Sequence, residues 1–202
     1  MRISPSITIS QPLYRGFSVN ADQNNPSHSE ILDSIQDRFL YMTSAYPSVM
    51  VIQVALTFPQ SGIYPPSNDY IKQLMNSLCH HLQRYPDCQY IWVLERSQDG
   101  GLHYHLCLLV ATNWPLAFHV IVGKLKDYWA SALNIGSADG LVHYGTEGNG
   151  TIMHQDDPDF IQVRAQRLFH ASYLAKLHTK GKLPRNLKGF GASQLRSSSV
   201  VI

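Results

Sequence analysis

The spacing of apolar positions divides the chain into segments typical of helices and segments typical of strands. In residues 69–85 apolar side chains recur every three or four positions, which indicates a helix with one buried face. Residues 49–58 instead form an apolar run rich in β-branched side chains that stops at Pro59, which indicates a buried strand. By the same criteria, further helices are predicted over residues 30–46, 116–135 and about 158–181, and further strands over residues 88–96, 102–110, 140–145 and 151–155.

This order of elements predicts one α+β domain. The segments 88–96 and 102–110 are separated by a short glycine-containing turn, which is typical of an antiparallel hairpin. We expect a mainly antiparallel sheet with helices on one face, in a ferredoxin-like arrangement, over residues 29–202. Residues 1–28 are polar and rich in Pro, Asn and Ser, and they predict a flexible N-terminal arm.

The composition is that of a globular protein. Apolar residues make up 44% and charged residues 15% of the 202 positions. No apolar stretch approaches the roughly 18 residues of a membrane span, and the N-terminus lacks the apolar segment of a secretory signal. We therefore expect a cytoplasmic protein without a membrane partner. Cys79, Cys88 and Cys107 form no C-x-x-C pair, so we expect reduced thiols.

The small net charge of +2 conceals an uneven distribution along the sequence. Residues 160–202 contain eight Lys or Arg and no Asp or Glu, which leaves eight basic against fourteen acidic residues, a net charge of −6, for residues 1–159. A basic segment on an acidic body favours a polyanion as partner. A basic tail that is merely solvated fits the charge pattern equally well.

Reactive side chains are indicated first by the stretch GLHYHLCLLV, residues 101–110. Because side chains alternate along a strand, His103 and His105 face the same side. Glu95 on the preceding strand lies opposite His103, on that same face, only if the hairpin loop is odd and centred on Asp99. The glycines in the turn permit an odd loop of three or five residues.

Two neutral imidazoles and one carboxylate form a ligand set for a divalent cation. They suit Mg²⁺ or Mn²⁺ when water and phosphate oxygens complete the coordination, and they also suit Zn²⁺. A zinc hydrolase is therefore an alternative, and so is a purely structural histidine pair. His143 and His154 would approach this site if their strands flank the hairpin.

A second reactive group lies in YLAKLHTKGK, residues 173–182. On a helix, Tyr173, Lys176 and Lys180 are three and four positions apart and share one side. A tyrosine phenolate is a nucleophile suited to covalent attack on a phosphodiester, and a neighbouring ammonium stabilises it. The alternative is an amphipathic helix with Tyr173 half buried and the lysines in water.

Three features together resemble the HUH endonuclease superfamily of rolling-circle replication initiators. They are a strand ending in Leu-Thr-Phe, an acidic residue eight positions before a His-Tyr-His strand, and Tyr-x-x-Lys followed by basic residues. The resemblance covers about residues 50–190, and LERSQDGGLHYHLCLLV, YLAKLHTKG and GFGAS are most similar to the prophage YfjJ-like group and related filamentous-phage initiators. It implies the HUH Rep nuclease fold, with a core over about residues 49–190.

The resemblance also implies a role for each candidate residue. Tyr173 would cut single-stranded DNA and remain bound to the 5′-phosphate, with Lys176 as its electrostatic partner. The positions one helical turn away hold Phe169 and Leu177, so a single catalytic tyrosine is expected. The ligands of Mg²⁺ or Mn²⁺ would be Glu95, His103 and His105.

We therefore expect an endonuclease and strand transferase that initiates rolling-circle replication of a phage or plasmid on single-stranded origin DNA, including origins folded as hairpins. The sequence contains no P-loop, so a host helicase and polymerase are expected partners. A single-tyrosine transposase or relaxase would share this site, and a non-catalytic DNA-binding module is the alternative from another class. Basic residues expected to bind DNA are Lys180, Lys182, Arg185 and Lys188.

Overall fold

The structure is a computed structural model that describes residues 7–60, 64–97, 101–112, 118–145, 149–177, 183 and 187–195. The helices are α1 (Ser29–Ala45), α2 (Asp69–Leu82), α3 (Phe118–Leu133) and α4 (Phe160–Ala171), and a 3₁₀ turn (Ser172–Ala175) follows α4. The strands are β1 (Thr8–Ile9), β2 (Leu13–Tyr14), β3 (Phe17–Ser18), β4 (Ser27–His28), β5 (Ser48–Thr57), β6 (Cys88–Arg96), β7 (Leu102–Ala111), β8 (Val142–His143), β9 (Thr151–His154) and β10 (Phe190–Ala192). None of the described helices is long and apolar enough to cross a bilayer.

Strands β5 to β10 form one antiparallel sheet. Its order is β10-β6-β7-β5, and β8 and β9 both pair with the remaining edge of β5. In the succession β5-α2-β6-β7-α3-β8, the third strand lies between the first two and the fourth lies beside the first. This is the ferredoxin-like βαββαβ arrangement. The predicted α+β class and mainly antiparallel sheet are therefore confirmed.

Helices cover both faces of the sheet, because its central strands carry apolar side chains at successive positions. On β7, Leu106 packs among side chains of α2 and α3, whereas Cys107 packs among side chains of α1 and α4. Each layer buries a large ring completely, Trp129 on the first face and Phe39 on the second. Truncating such a ring to alanine typically costs about 3–5 kcal/mol of folding free energy.

The prediction that helices lie on one face holds for α2 and α3, the two helices of the βαββαβ unit. The opposite face is covered by α1, which precedes this unit, and by α4, which follows it. The two layers arise because β5 and β7 are too apolar to leave either face in water.

Residues 7–28, where the sequence predicts a flexible arm, fold against the layer of α1 and α4. Strand β1 pairs with β4, and β2 pairs with β3. Val19 and Ala21 are buried in that layer, and the Ser27 side chain is completely buried. These few apolar positions are scattered among polar residues without a helical or strand period, so the pattern alone does not reveal that they are buried.

The last helix is shorter than predicted. The sequence pattern extends to about residue 181, but the backbone leaves helical geometry at Lys176, which has φ −57° and ψ 132°. Lys176 forms an isolated β-bridge with Ser27, and the Leu177 N–H donates to the Pro26 carbonyl at 2.9 Å. The helical geometry therefore ends where the chain begins to pair with the N-terminal segment.

Strand β10, which the sequence pattern does not predict, closes the edge of the sheet at β6. Gly191 pairs with Trp92, and a Cβ on Gly191 would lie 2.5 Å from the Trp92 ring, so only glycine fits there. The buried Arg38 of α1 donates to the Ser193 carbonyl just beyond the strand. Burial lowers the pKa of the Arg38 guanidinium. Trp92 itself is buried in the core layer of α2 and α3.

Candidate metal centre and tyrosine cleft

The hairpin of β6 and β7 brings three ligand side chains to one face of the sheet. Glu95 pairs directly with His103, and the strands separate one pair later, which leaves the odd loop 97–101 of five residues. The register and the odd loop predicted from the sequence are therefore confirmed. The conformation of the central residues, 98–100, lies outside the described part of the chain.

The three side chains converge at the loop end of the hairpin. The Glu95 Oε2 atom lies 3.3 Å from His105 Nε2 and 3.8 Å from His103 Nε2. The two imidazole rings are 4.9 Å apart between centroids, with their planes at 76°. Glu95 is 2% exposed, whereas the side chains of His103 and His105 are 19% and 27% exposed. The carboxylate thus forms the floor of the group, and the imidazoles form its solvent-facing rim.

This arrangement fits a divalent metal ion. Among the described residues, Glu95, His103 and His105 form a group whose ligand atoms all lie within 4.8 Å of one another. Two ligands at about 2.1 Å from one ion are about 3.0 Å apart at a right angle and about 3.4 Å apart at a tetrahedral angle. Small rotations of the two rings would therefore bring all three donors to one ion. Mg²⁺, Mn²⁺ and Zn²⁺ all suit these donor types.

A third histidine lies on the same face, on the far side of β5. Ala55 pairs with His105 on one side and with His143 of β8 on the other, so the two histidines belong to one row across the sheet. The Nε2 atom of His143 lies 3.2 Å from the Thr57 Oγ1 atom. His154 instead contacts the Ser48 hydroxyl at the opposite end of β5. Of the two histidines named from the sequence, His143 is the one near the ligand group.

Tyr173 lies in the 3₁₀ turn after α4 rather than on the helix that the sequence predicts. It is 39% exposed, and the Lys176 Nζ atom lies 4.3 Å from the centre of its ring. An ammonium at this distance over an aromatic face makes a cation–π contact of about 0.5–1 kcal/mol at an exposed site. Tyr173 and Lys176 are thus together, although not through successive helical turns. Lys180 lies outside the described residues.

The buried hydroxyl of Ser172 fixes this turn. Its Oγ atom donates to the Phe169 carbonyl at 2.6 Å and accepts from the Asn20 N–H at 2.7 Å. Ser172 is completely buried, so losing this hydroxyl would leave the Asn20 N–H without its acceptor. The backbone position of Tyr173 therefore depends on the N-terminal segment.

Tyr173 and His105 line the same cleft, of about 550 Å³, which we call the tyrosine cleft. It also includes Gln53, Tyr144 and Asn149. The Asn149 Oδ1 atom accepts from the Gln53 N–H at 2.6 Å and ties the loop before β9 to β5. The two groups of reactive residues found in the sequence are therefore joined in one space.

A second cleft, of about 920 Å³, lies at the loop end of the hairpin and has His103 in its wall. We call it the aromatic cleft, because Phe58, Tyr64 and Tyr104 line it. The Tyr104 hydroxyl donates to the Ser67 carbonyl at 3.0 Å. Burial raises the pKa of Tyr104 to about 12, so this phenol is neutral at physiological pH.

A sequence profile of the YagK/YfjJ C-terminal domain family matches residues 13–193. The chain belongs to this family. The Escherichia coli (strain K12) protein named "Uncharacterized protein YagK" is 28% identical over 199 residues, which cover 82% of this chain and 93% of that protein. No solved structure matches the chain significantly. The resemblance to the YfjJ-like group inferred from the sequence is confirmed at the level of the family.

The YagK/YfjJ match contains all the candidate ligands and Tyr173. It also begins at residue 13, inside the segment predicted as an arm. Residues 13–28 are therefore part of the YagK/YfjJ domain, in agreement with the burial of Val19 and Ala21.

Of the four basic residues predicted to bind DNA, the structure describes only Lys188. Lys188 is exposed, and its N–H donates to the Asn68 Oδ1 atom at 2.7 Å. Its neighbour Leu187 lines the aromatic cleft, so Lys188 lies near that cleft and not in the tyrosine cleft. The other three, Lys180, Lys182 and Arg185, lie outside the described residues.

Several side chains at the candidate site are missed by sequence reasoning. Gln53 could have been found from the sequence, since it is the one polar side chain within the apolar run 50–56. Asn149 and Tyr64 lie in polar loops and carry no local signal of their position. His170 precedes the 3₁₀ turn and faces the tyrosine cleft, which the predicted continuous helix does not indicate.

Proposed function

We propose that this chain is a metal-dependent endonuclease and strand transferase of the HUH type. It cuts single-stranded origin DNA through a 5′-phosphotyrosine and so initiates rolling-circle replication of a phage or plasmid. The observation that carries the proposal is that His105 of the ligand group and Tyr173 line one cleft. A phosphodiester bound there would contact the nucleophile and the ligand group together.

The tyrosine supplies the nucleophile and takes over the phosphate. The Tyr173 Oη atom attacks phosphorus, a bond from phosphorus to this oxygen forms, and the bond from phosphorus to the 3′ oxygen of the preceding nucleotide breaks. Tyr173 loses its phenolic proton, and the departing oxygen takes up one proton to become a 3′-hydroxyl. Because the phosphotyrosine is still a phosphodiester, attack by a 3′-hydroxyl reverses the step and joins the strand.

The surroundings of Tyr173 favour this chemistry electrostatically. The Lys176 ammonium lies 4.3 Å from the centre of the Tyr173 ring, so its positive charge would attract the anionic phosphate that the tyrosine attacks. Glu95, His103 and His105 would hold Mg²⁺ or Mn²⁺, which polarises a phosphate oxygen and offsets negative charge in the transition state. This site cuts and joins but does not unwind, so a host helicase and polymerase complete the replication machinery.

The test is a covalent adduct between the protein and DNA. The purified chain is incubated with single-stranded oligonucleotides that carry the native origin, with Mn²⁺ or with EDTA, and resolved on a denaturing gel. A 3′ label should move into the protein band, because the 5′-phosphate stays on the tyrosine, whereas a 5′ label should appear in a shorter free fragment. The adduct should require metal and should be lost in Tyr173→Phe.

Tyr128→Phe is the matched control, because it removes a phenolic oxygen from α3, on the opposite face of the sheet. It should leave the adduct unchanged. Cleavage with Zn²⁺ that persists in Tyr173→Phe would instead indicate a zinc hydrolase. Origin DNA that is bound but never cut, with any of several divalent ions, would indicate a non-catalytic DNA-binding module.

A further inference from the structure

We propose that the aromatic cleft binds the nucleoside on the 5′ side of the scissile phosphate. The strand then runs from the aromatic cleft, across His103 and His105, into the tyrosine cleft. This inference rests on the proposed function and adds the polarity of the bound strand and a base-binding subsite.

The ligand group separates the two clefts. His103 lines the aromatic cleft and His105 lines the tyrosine cleft, although the two rings are only 4.9 Å apart. His143 lines both clefts, so they meet at the edge of β5. A single strand can therefore pass from one cleft to the other while its phosphate stays beside the ligand group.

The geometry of phosphoryl transfer then fixes the direction of the strand. The attacking and leaving oxygens lie roughly in line, on opposite sides of phosphorus. Tyr173 attacks from the tyrosine cleft, so the 3′ oxygen must leave toward the aromatic cleft. The nucleoside that carries this oxygen is the one on the 5′ side of the cut, and the rest of the strand remains with Tyr173 through its 5′-phosphate.

The aromatic cleft has the chemistry to hold a base. Tyr64 is partly exposed, and its ring lies 5.7 Å from Phe58 and 6.3 Å from Tyr70. Phe58 is in turn 5.5 Å from the fully buried Trp129, so the platform is anchored in the core. A base that stacks on such a rigid ring gains affinity with little dependence on its identity.

The tyrosine cleft offers a matching surface for the other side of the cut. Tyr144 is 45% exposed and Phe169 is 37% exposed, and both line that cleft. Tyr144 is supported by an edge-to-face contact with Phe118, whose ring centre is 5.2 Å away. Each side of the ligand group therefore has an aromatic side chain that is at least partly exposed.

The test removes one base at a time. The adduct assay first maps the cut bond, and binding is then measured by fluorescence anisotropy with the Tyr173→Phe variant in EDTA. An abasic site immediately 5′ or 3′ of the bond should each weaken binding about tenfold, the order of one lost stack. In Tyr64→Ala the 5′ abasic site should have no further effect, while the 3′ abasic site should still weaken binding.

Two variants serve as controls. Tyr64→Phe keeps the ring and should retain the dependence on the 5′ base, and Tyr144→Ala should abolish the dependence on the 3′ base alone. A measurement that needs no variant in the aromatic cleft is photo-crosslinking of 4-thiothymidine placed 5′ of the bond, which should label the peptide containing Tyr64.

Failures of the two proposals can be told apart. No adduct with the wild-type chain overturns the proposed function and this inference with it. If the wild-type chain forms the adduct but Tyr64→Ala loses the dependence on the 3′ base, the strand polarity is wrong and the proposed function stands. The same holds if Tyr64→Ala keeps the dependence on both bases.

Discussion

We predict that Mn²⁺ raises the unfolding temperature of the chain and that replacing Glu95 with Gln abolishes this rise. Glu95 is the one anionic ligand of the group, it is 2% exposed, and its Oε2 atom is within 3.8 Å of both imidazole Nε2 atoms. The amide of Gln has almost the same shape but no charge, so the change removes affinity for the ion without opening a cavity. Because the substitution also changes the buried contact of Glu95 with the two imidazoles, the Mn²⁺ response of each protein is measured against its own metal-free unfolding temperature.

The magnitude follows from linkage between binding and folding. Mn²⁺ at about 100 times its dissociation constant stabilises the folded state by about 2.7 kcal/mol. For a chain of 202 residues this raises the unfolding temperature by about 5–10 °C. Changing a residue that only supports a metal ligand typically weakens metal binding about 10- to 100-fold. Loss of Glu95, which would bind the ion directly, should reach at least the upper end of this range. At the same Mn²⁺ concentration the stabilisation then falls to about 0.4 kcal/mol, or about 1 °C.

The measurement is differential scanning fluorimetry over a Mn²⁺ titration, with EDTA as the baseline. Asp69→Asn is the matched control, because Asp69 is an exposed carboxylate at the start of α2, away from the ligand group. It should keep the full Mn²⁺ response. A Glu95→Gln variant that Mn²⁺ stabilises as strongly as the wild type would show that the ion binds elsewhere, and the assignment of the ligand group would be wrong.

Three further predictions concern the structure around the site and are measured by urea unfolding. Gly191→Ala should lower the free energy of unfolding by about 1–3 kcal/mol, because the new Cβ would lie 2.5 Å from the Trp92 ring. Ser172→Ala should lower it by about 1–3 kcal/mol, because the Asn20 N–H loses an acceptor at 2.7 Å. Stability should also fall as the pH rises from 10 toward about 12, because burial raises the pKa of Tyr104 from 10.0 to about 12. The folded state then keeps a proton that the unfolded chain releases, and Tyr104→Phe should make the fall shallower.

Each of these changes has a control. Gly123→Ala places a methyl group in open space on α3 and should be neutral or stabilising by up to about 1 kcal/mol. Ser131→Ala, at an exposed position of α3, should change stability by less than about 0.5 kcal/mol. Equal losses in a variant and its control would contradict the contact assigned to that residue. Equal slopes above pH 10 in wild type and Tyr104→Phe would contradict the assignment of Tyr104.

The strands β5, β6 and β7 could be predicted from the sequence because each is marked by a run of apolar side chains within a few neighbouring positions. Strand 88–96 has the predicted bounds, and the pairing of Glu95 with His103 follows from the parity of the loop. The folded N-terminal segment could not be predicted, since its few buried side chains have no period and are buried by α1 and α4, which are distant in sequence. The early end of α4 has the same cause, because Lys176 pairs with that segment.

The ligand group could be predicted for the same reason, because all three ligands lie on one hairpin. The tyrosine cleft could be predicted only as two separate motifs, since no local rule places Tyr173 in the same cleft as His105. The aromatic cleft could not be predicted from the sequence pattern. Tyr64 lies in a loop rich in proline, serine and asparagine, and its position depends on contacts with Phe58 and Tyr70.

The hydrogen bond between Asn20 and Ser172 joins residues that are 152 positions apart, and this separation has a consequence for synthesis. A nascent chain that has emerged from the ribosome through β7 already holds Glu95, His103 and His105 on one hairpin. The turn that carries Tyr173 can dock on the N-terminal segment only after α4 has been made, because closing such a long loop is a late event in folding. The order of translation therefore places the three hairpin residues first and Tyr173 last, so an incomplete chain lacks the cleft in which Tyr173 and His105 meet.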